Sequence, residues 1–193
     1  MTAQLILASA SPRRRDLLDQ IKVRYTVYPV AVDETPHSGE MPLDYVRRLA
    51  GEKSSACISQ LTPRLPVLAA DTVVVLGTKI FGKPQDQADA LSMLSQLSGQ
   101  THQVYSAVSL RSQDQAHEQA VSITEVTFKS LTKQELLSYW QSGEPVDKAG
   151  GYAIQGLGSV FVQSINGSFS GVVGLPLFET TQLLAKQGII ILQ

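Results

Sequence analysis

Three arginines follow a hydroxyl-rich turn in Ser9-Ala-Ser-Pro-Arg-Arg-Arg15. The stretch lies between the apolar run Leu5-Ile-Leu-Ala8 and Leu17-Leu18, so it reads as strand, tight turn and helix. Ser11 suits the N-cap and Pro12 the first helical position, where a missing N–H costs nothing. Cations in a first helical turn face the positive end of the helix dipole, which is unfavourable by about 0.3–1 kcal/mol each. The arrangement becomes favourable when an anion sits over the turn, held by backbone N–H groups, hydroxyls and guanidinium groups. The alternative is a solvated basic turn whose arginines pair with nearby carboxylates.

Other residues could serve the same anion. Lys53 falls on the apolar stripe of a helical segment, between Leu49 and Cys57, where a lysine either snorkels to an edge or meets a negative charge. Asp71-Thr72 interrupts the apolar run from Val67 to Leu76. A carboxylate there either caps a turn at a strand end or serves as metal ligand or general base where the strand opens into a cleft. Lys83 lies between Gly82 and Pro84, and Asp33-Glu34 opens a loop rich in turn formers. Asp147-Lys148 begins a segment with four glycines in twelve residues, which also contains Tyr152 and Gln155. That composition is a poor one for a flexible linker. Together these residues suit a polyphosphate with a divalent cation: cations hold the charge, while carboxylates hold the metal and activate water. Other chemistries fit poorly, because the P-loop, GxGxxG and Gly-x-Ser-x-Gly patterns are absent and no histidine or cysteine cluster suggests zinc.

Strands and helices must alternate to position this set. A strand is expected over Val23 to Val32, and a helix from about Pro42 to Ser59 with Leu43, Val46, Leu49, Ala50 and Cys57 at helical spacing. A proline-containing connection, Leu61 to Pro66, leads into the Asp71 strand, which turns at Gly77-Thr-Lys79 and returns through Ile80-Phe81. Gln87 to Ser98 reads as a helix stopped by Gly99. Gln103 to Leu110 and Ala120 to Phe128 read as antiparallel strands joined by a polar turn near Ser112 to Gln115. A change of alternation predicts a bulge near Glu125. Thr132 and Glu135 form a capping box for a helix ending at Gly143. Val160 to Ile165 reads as a strand, Asn166-Gly167 as a hairpin turn, and Phe169 to Val173 as the returning segment. A last helix runs to about Lys186 and stops at Gly188, with Ile189 to Leu192 as a terminal strand or packing tail.

The chain has 193 residues and 43% hydrophobic content, enough to bury a core as one domain or two small lobes. Charged residues make up 17% and the net charge is -1, which argues against nucleic-acid binding through a broad basic surface. The single cysteine, Cys57, excludes an internal disulfide framework and fits a reducing compartment. No run reaches membrane-spanning length and no export signal is evident, so the expectation is a cytoplasmic protein without a membrane partner.

Taken in order, the blocks Leu7-Ala-Ser-Ala-Ser-Pro-Arg-Arg14, Val32-Asp-Glu34, Arg48-Leu-Ala-Gly-Glu-Lys53, Ala70-Asp-Thr72, Gly82-Lys-Pro84, Asp147-Lys-Ala-Gly150, Ile154-Gln-Gly156 and Val173-Gly-Leu-Pro176 resemble the Maf (septum formation) family of nucleoside triphosphate pyrophosphatases. The resemblance covers nearly the whole chain. It implies an α/β fold: a mixed twisted sheet with flanking helices, forming one domain over residues 1–193 whose two lobes surround a central cleft. It implies hydrolysis of a nucleoside triphosphate to the monophosphate and pyrophosphate, with Asp71 as proton acceptor for water attacking the α-phosphate. Glu34 is assigned to metal binding beside Asp71, the cation being Mg²⁺ or Mn²⁺. Lys53 and Lys83 match lysines suited to neutralising phosphates, and Ser9, Arg13 and Arg14 match a phosphate-contacting loop. Arg13, Thr72 and Gln155 resemble the dTTP/UTP subgroup, rather than the 7-methyl-GTP subgroup with an aromatic residue, Gln and Glu at those positions. An amide at Gln155 both donates and accepts, which suits the O4 and N3–H edge of uracil or thymine. Two rival readings are a nucleotide-binding regulator of septation without turnover and a phosphatase cleaving at the γ-position. The oligomeric state stays open, with a homodimer as one option.

Overall fold

A computed structural model describes residues 2–61, 65–112, 114 and 116–192. Parts of the expected Leu61–Pro66 connection and of the turn at 112–115 lie outside the described residues. The chain runs β1 (Leu5–Leu7), α1 (Pro12–Gln20), β2 (Tyr25–Val27), α2 (Pro42–Gln60), β3 (Val67–Leu76), β4 (Lys79–Phe81), α3 (Gln87–Leu97), β5 (Thr101–Arg111), β6 (His117–Phe128) and α4 (Lys133–Gln141). Two 3₁₀ turns, Ala149–Gly151 and Leu157–Phe161, precede β7 (Val162–Asn166), α5 (Phe169–Val173) and α6 (Leu177–Lys186).

The seven strands of the described residues form one mixed sheet in the order β2-β1-β3-β5-β6-β7, with β4 also paired to β3. β1 is parallel to β2 and β3, and the remaining pairs are antiparallel. This is the mixed α/β architecture expected from the sequence. β3 is the organising strand. β1 pairs with its first half, through Leu7 opposite Leu68, and β4 with its second, through Phe81 opposite Val74. The same edge is left open between them, and Asp71 and Thr72 lie in that gap.

Alternation along β3 distributes the core. Leu68, Ala70 and Val74 enter the main cluster with Leu17, Leu18, Leu94, Leu136 and Leu184, so α1, α3, α4 and α6 cover that face. Val73 and Val75 point the other way and pack with Val46, Leu49 and Ala50 of α2. Each fully buried Leu or Val there contributes about 1.5–3 kcal/mol. Asp71 shares the α2 face and Thr72 the opposite face, because successive strand residues alternate.

Several local expectations need correction. The strand expected over residues 23–32 is confined to Tyr25–Val27, because β1, its pairing partner, ends opposite Val27. Val30 and Val32 pack against the sheet instead of extending it. No bulge occurs at Glu125 toward β5, since that ladder stays in register from Thr101–Thr127 to Arg111–His117. The change of alternation there marks a change in which face is covered: Val121 packs on the α2 side, whereas Thr124, Val126 and Phe128 are buried and Ile123 is exposed. The irregularity lies on the β7 side, between Thr127 and Phe128. Asn166-Gly167 does not turn a hairpin. The Thr124 hydroxyl accepts from Ser168 N at 2.9 Å, and Ser168 Oγ accepts from Gly171 N at 3.0 Å, so the returning segment starts a short helix. Ile189–Leu192 is a tail rather than a strand, with Ile189 buried.

His102 on β5 sits in an aromatic nest, 4.8 Å from the Phe128 ring and 5.5 Å from that of Tyr152. Its Nε2 meets the Tyr152 hydroxyl at 2.8 Å, while the buried Nδ1 has no partner. Burial pushes its pKa down to about 4. The unfolded chain, with a histidine pKa of about 6.5, therefore binds the proton more readily. Stability is expected to fall as pH drops from about 6.5 toward 4, by up to about 3 kcal/mol. Urea denaturation of the wild type and His102→Gln across that range checks this, since the variant should lose that part of the pH dependence.

Candidate active site

The turn after β1 is built around Ser9 and Arg14. Ser9 Oγ accepts from the backbone N–H of Ser11 at 3.2 Å and from Arg14 Nη1 at 3.1 Å. Ser11 occupies the N-cap as expected, but its hydroxyl makes no capping bond. No acidic residue lies in the first turn of α1, so its dipole is uncompensated by the chain itself. Arg14 Nε donates to the Gly174 carbonyl at 2.8 Å, tying α1 to the end of α5. Burial lowers the Arg14 pKa against the opposing pull of Asp71, as expected for a partly desolvated cation.

Across the gap in the sheet, Lys53 of α2 is buried and reaches Asp71 Oδ1 at 2.7 Å and Glu34 Oε1 at 2.6 Å. The lysine on the apolar stripe therefore meets anions rather than snorkelling. Asp71 stands in the middle of its strand, so it does not cap a turn. Burial pushes its pKa up, partly offset by Lys53 and Arg14. For Glu34, burial also acts upward, but Lys53 and Lys83 outweigh it and hold the carboxyl below its usual range. Two adjacent carboxylates are thereby made unequal, one a better proton acceptor and the other firmly ionised. Lys83 is exposed on its loop, 3.6 Å from Glu34 Oε2.

Thr72, on the opposite face, meets Ser106 Oγ at 2.8 Å and donates to the Gly174 carbonyl at 3.4 Å. Ser9, Arg13, Arg14, Glu34, Lys53, Asp71, Thr72, Lys83 and Gln155 all line one cleft of about 740 Å³. That size suits a small-molecule ligand. Gln155 is exposed on its wall.

Several further residues shape this site, of which Tyr45 carries no signal of a role in its own local sequence. The Tyr45 hydroxyl donates to the Glu34 carbonyl at 2.7 Å and so fixes the loop that presents its carboxylate. Gly174 supplies the carbonyl shared by Arg14 and Thr72. Its place in the Val173–Pro176 block was the available signal. Asp147 and Lys148 also line the cleft, and Asp147 opposes the burial-driven lowering of the Arg13 pKa. The Gly150 N–H donates to the Gly82 carbonyl at 2.9 Å, which fastens the Asp147 loop to the Lys83 loop. Gly150 has φ +67, and a Cβ there would lie 3.0 Å from Val74.

Glu34 and Asp71, the two carboxylates joined through Lys53, could hold a divalent cation. Among the described residues no group of three or more His, Cys, Asp or Glu is clustered for a metal. A pair of carboxylates fits Mg²⁺, which is commonly held by one or two carboxylates together with substrate phosphates.

Residues 4–187 match the family model described as Maf-like protein. The chain belongs to the Maf family. This Maf chain is 54% identical over 186 residues to a curated protein of Methylococcus capsulatus named dTTP/UTP pyrophosphatase, covering 96% of the chain and 92% of that protein. A protein of the same name from Myxococcus xanthus is 51% identical over 186 residues, covering 96% and 93%. Among solved structures, the Staphylococcus aureus Ham1 protein is similar to the Maf chain with a TM-score of 0.48 and 16% identity, covering 64% of this chain and 71% of that one. No helix among the described residues is long and apolar enough to cross a membrane.

Proposed function

We propose that the protein hydrolyses dTTP and UTP to the monophosphate and pyrophosphate. The observation that carries this reading is the buried Asp71–Lys53 pair joined to the exposed Glu34, facing the Ser9–Arg14 turn within one cleft. The names of relatives at about half identity over nearly the full chain support the substrate class. Asp71 accepts a proton from water as its oxygen attacks the α-phosphorus. The α–β bridging P–O bond breaks, and pyrophosphate leaves with the bond electrons. Lys53 keeps Asp71 and Glu34 together. Ser9 and Arg14 bind phosphate oxygens at the helix N-terminus, and Lys83 meets the leaving group. Arg13, Thr72 and Gln155 select the substrate. A Mg²⁺ or Mn²⁺ held by Glu34 and Asp71 would neutralise charge on the phosphates.

Product analysis tests the reading. With UTP or dTTP and either metal, the expected products are UMP or dTMP with pyrophosphate. In isotopically labelled water the label should enter the monophosphate. UDP with orthophosphate would instead establish γ-cleavage, and tight binding with no product would establish a nucleotide-binding regulator.

A further inference from the structure

We propose that Glu144, acting with Tyr139, positions the Gln155 loop so that the cleft accepts a pyrimidine in preference to a purine. This rests on the nucleotide-hydrolysis reading above. Glu144 follows α4 and is not among the residues that line the cleft. Its carboxylate is nonetheless fully engaged. Oε1 accepts the Tyr139 hydroxyl at 2.7 Å and the Gly158 N–H at 2.9 Å, and Oε2 accepts the Leu157 N–H at 2.8 Å. The Tyr139 hydroxyl in turn accepts the Ala153 N–H at 3.0 Å. The backbone is therefore gripped two residues before Gln155 and two and three residues after it.

The glycines fit this clamp. A Cβ on Gly156 would overlap the Glu144 carboxylate, and one on Gly158 would lie 2.7 Å from the Tyr139 oxygen. Only bare backbone can close that tightly around the acid. Burial acts against the charge of Glu144, but the Gly158 N–H, the Tyr139 hydroxyl and the Leu157 N–H outweigh it and hold the carboxyl below its usual range. Tyr139 is itself buried and edge-on to Phe161 at 4.9 Å, so the clamp is anchored in the core.

Such a clamp supplies what the Gln155 side chain lacks. An amide that pairs with the O4 and N3–H of uracil finds the same acceptor and donor in O6 and N1–H of guanine. Edge chemistry alone does not separate UTP from GTP. Separation requires that Gln155 stand at a fixed reach from the Ser9–Arg14 phosphate turn, one that the longer purine nucleotide oversteps. The Glu144–Tyr139 pair sets that reach, which makes Glu144 a positioning residue rather than a catalytic one.

The test is the UTP:GTP ratio of kcat/KM in the full chain, measured for Glu144→Gln, Tyr139→Phe, Gln155→Ala and the Glu144→Gln/Gln155→Ala double variant. Glu144→Gln keeps the shape but turns one acceptor oxygen into a donor facing an N–H. It is expected to lower the ratio about tenfold, mainly through a raised KM for UTP with kcat little changed. Tyr139→Phe should act in the same direction. In the Gln155→Ala background, Glu144→Gln should change the ratio no further. An unchanged ratio in both clamp variants, with Gln155→Ala still lowering it, would overturn the positioning role alone. An unchanged ratio in Gln155→Ala would overturn base reading by Gln155 and the clamp's action through it.

Discussion

Asp71→Asn is expected to lower kcat for UTP by about 10²–10⁴-fold, the range attributable to a positioned general base. Asn matches Asp in shape and retains an acceptor for Lys53 but cannot take a proton from water. Fold stability should not suffer. Burial raises the Asp71 pKa, so the ionised group is less favourable in the folded chain than in the unfolded one. Lys53 also keeps Glu34 as an ionic partner. The pH dependence carries the same signature. With a raised pKa, Asp71 becomes protonated as pH falls through a value above the ordinary carboxylate range, and kcat/KM should decline there. The residual activity of Asp71→Asn should lack that acidic limb. Pyrophosphate release measured from mildly acid to neutral pH, together with thermal melting, checks both points. Activity near wild type would remove Asp71 from the mechanism.

Lys53→Met is expected to have the second-largest effect, costing about 10²–10³-fold in kcat and about 3–5 kcal/mol in stability. The lysine is buried and bridges two carboxylates through contacts of 2.6 and 2.7 Å. Met fills similar space but leaves Asp71 and Glu34 facing each other as like charges. The sign of the pH shift follows: repulsion raises the Asp71 pKa further, so the acidic limb of kcat/KM moves to higher pH. Kinetic pH profiles and urea denaturation of Lys53→Met separate the catalytic loss from the structural one. An unmoved acidic limb would show that Lys53 does not tune Asp71.

Much of this site is legible in the sequence because it violates local rules. A lysine on an apolar stripe, an aspartate inside a β-branched run and arginines at a helix N-terminus are each locally unfavourable. Such conflicts mark positions where a ligand or partner is needed. The long elements were legible too, since α2 and β5 repeat their apolar pattern over several turns or pleats. What escaped was held by contacts that no spacing rule encodes. Asn166-Gly167 has the composition of a hairpin turn, yet Thr124 and Ser168 redirect the chain into α5. Glu144 looks like an ordinary loop acid, because its partners are backbone N–H groups that any sequence possesses. The length of β2 was likewise set by where β1 ends, which lies outside its own pattern.

The bond from Arg14 to the Gly174 carbonyl joins residues 160 positions apart, and the Thr72 contact with the same carbonyl spans 102. During synthesis, a nascent chain that ends before Gly174 has its strands β1 to β7 but not the acceptor that orients Arg14. Arg14 therefore gains this acceptor only after the segment that follows β7 has been made. Closing so long a loop is also entropically costly, so this contact should be among the later ones to form when the full chain refolds.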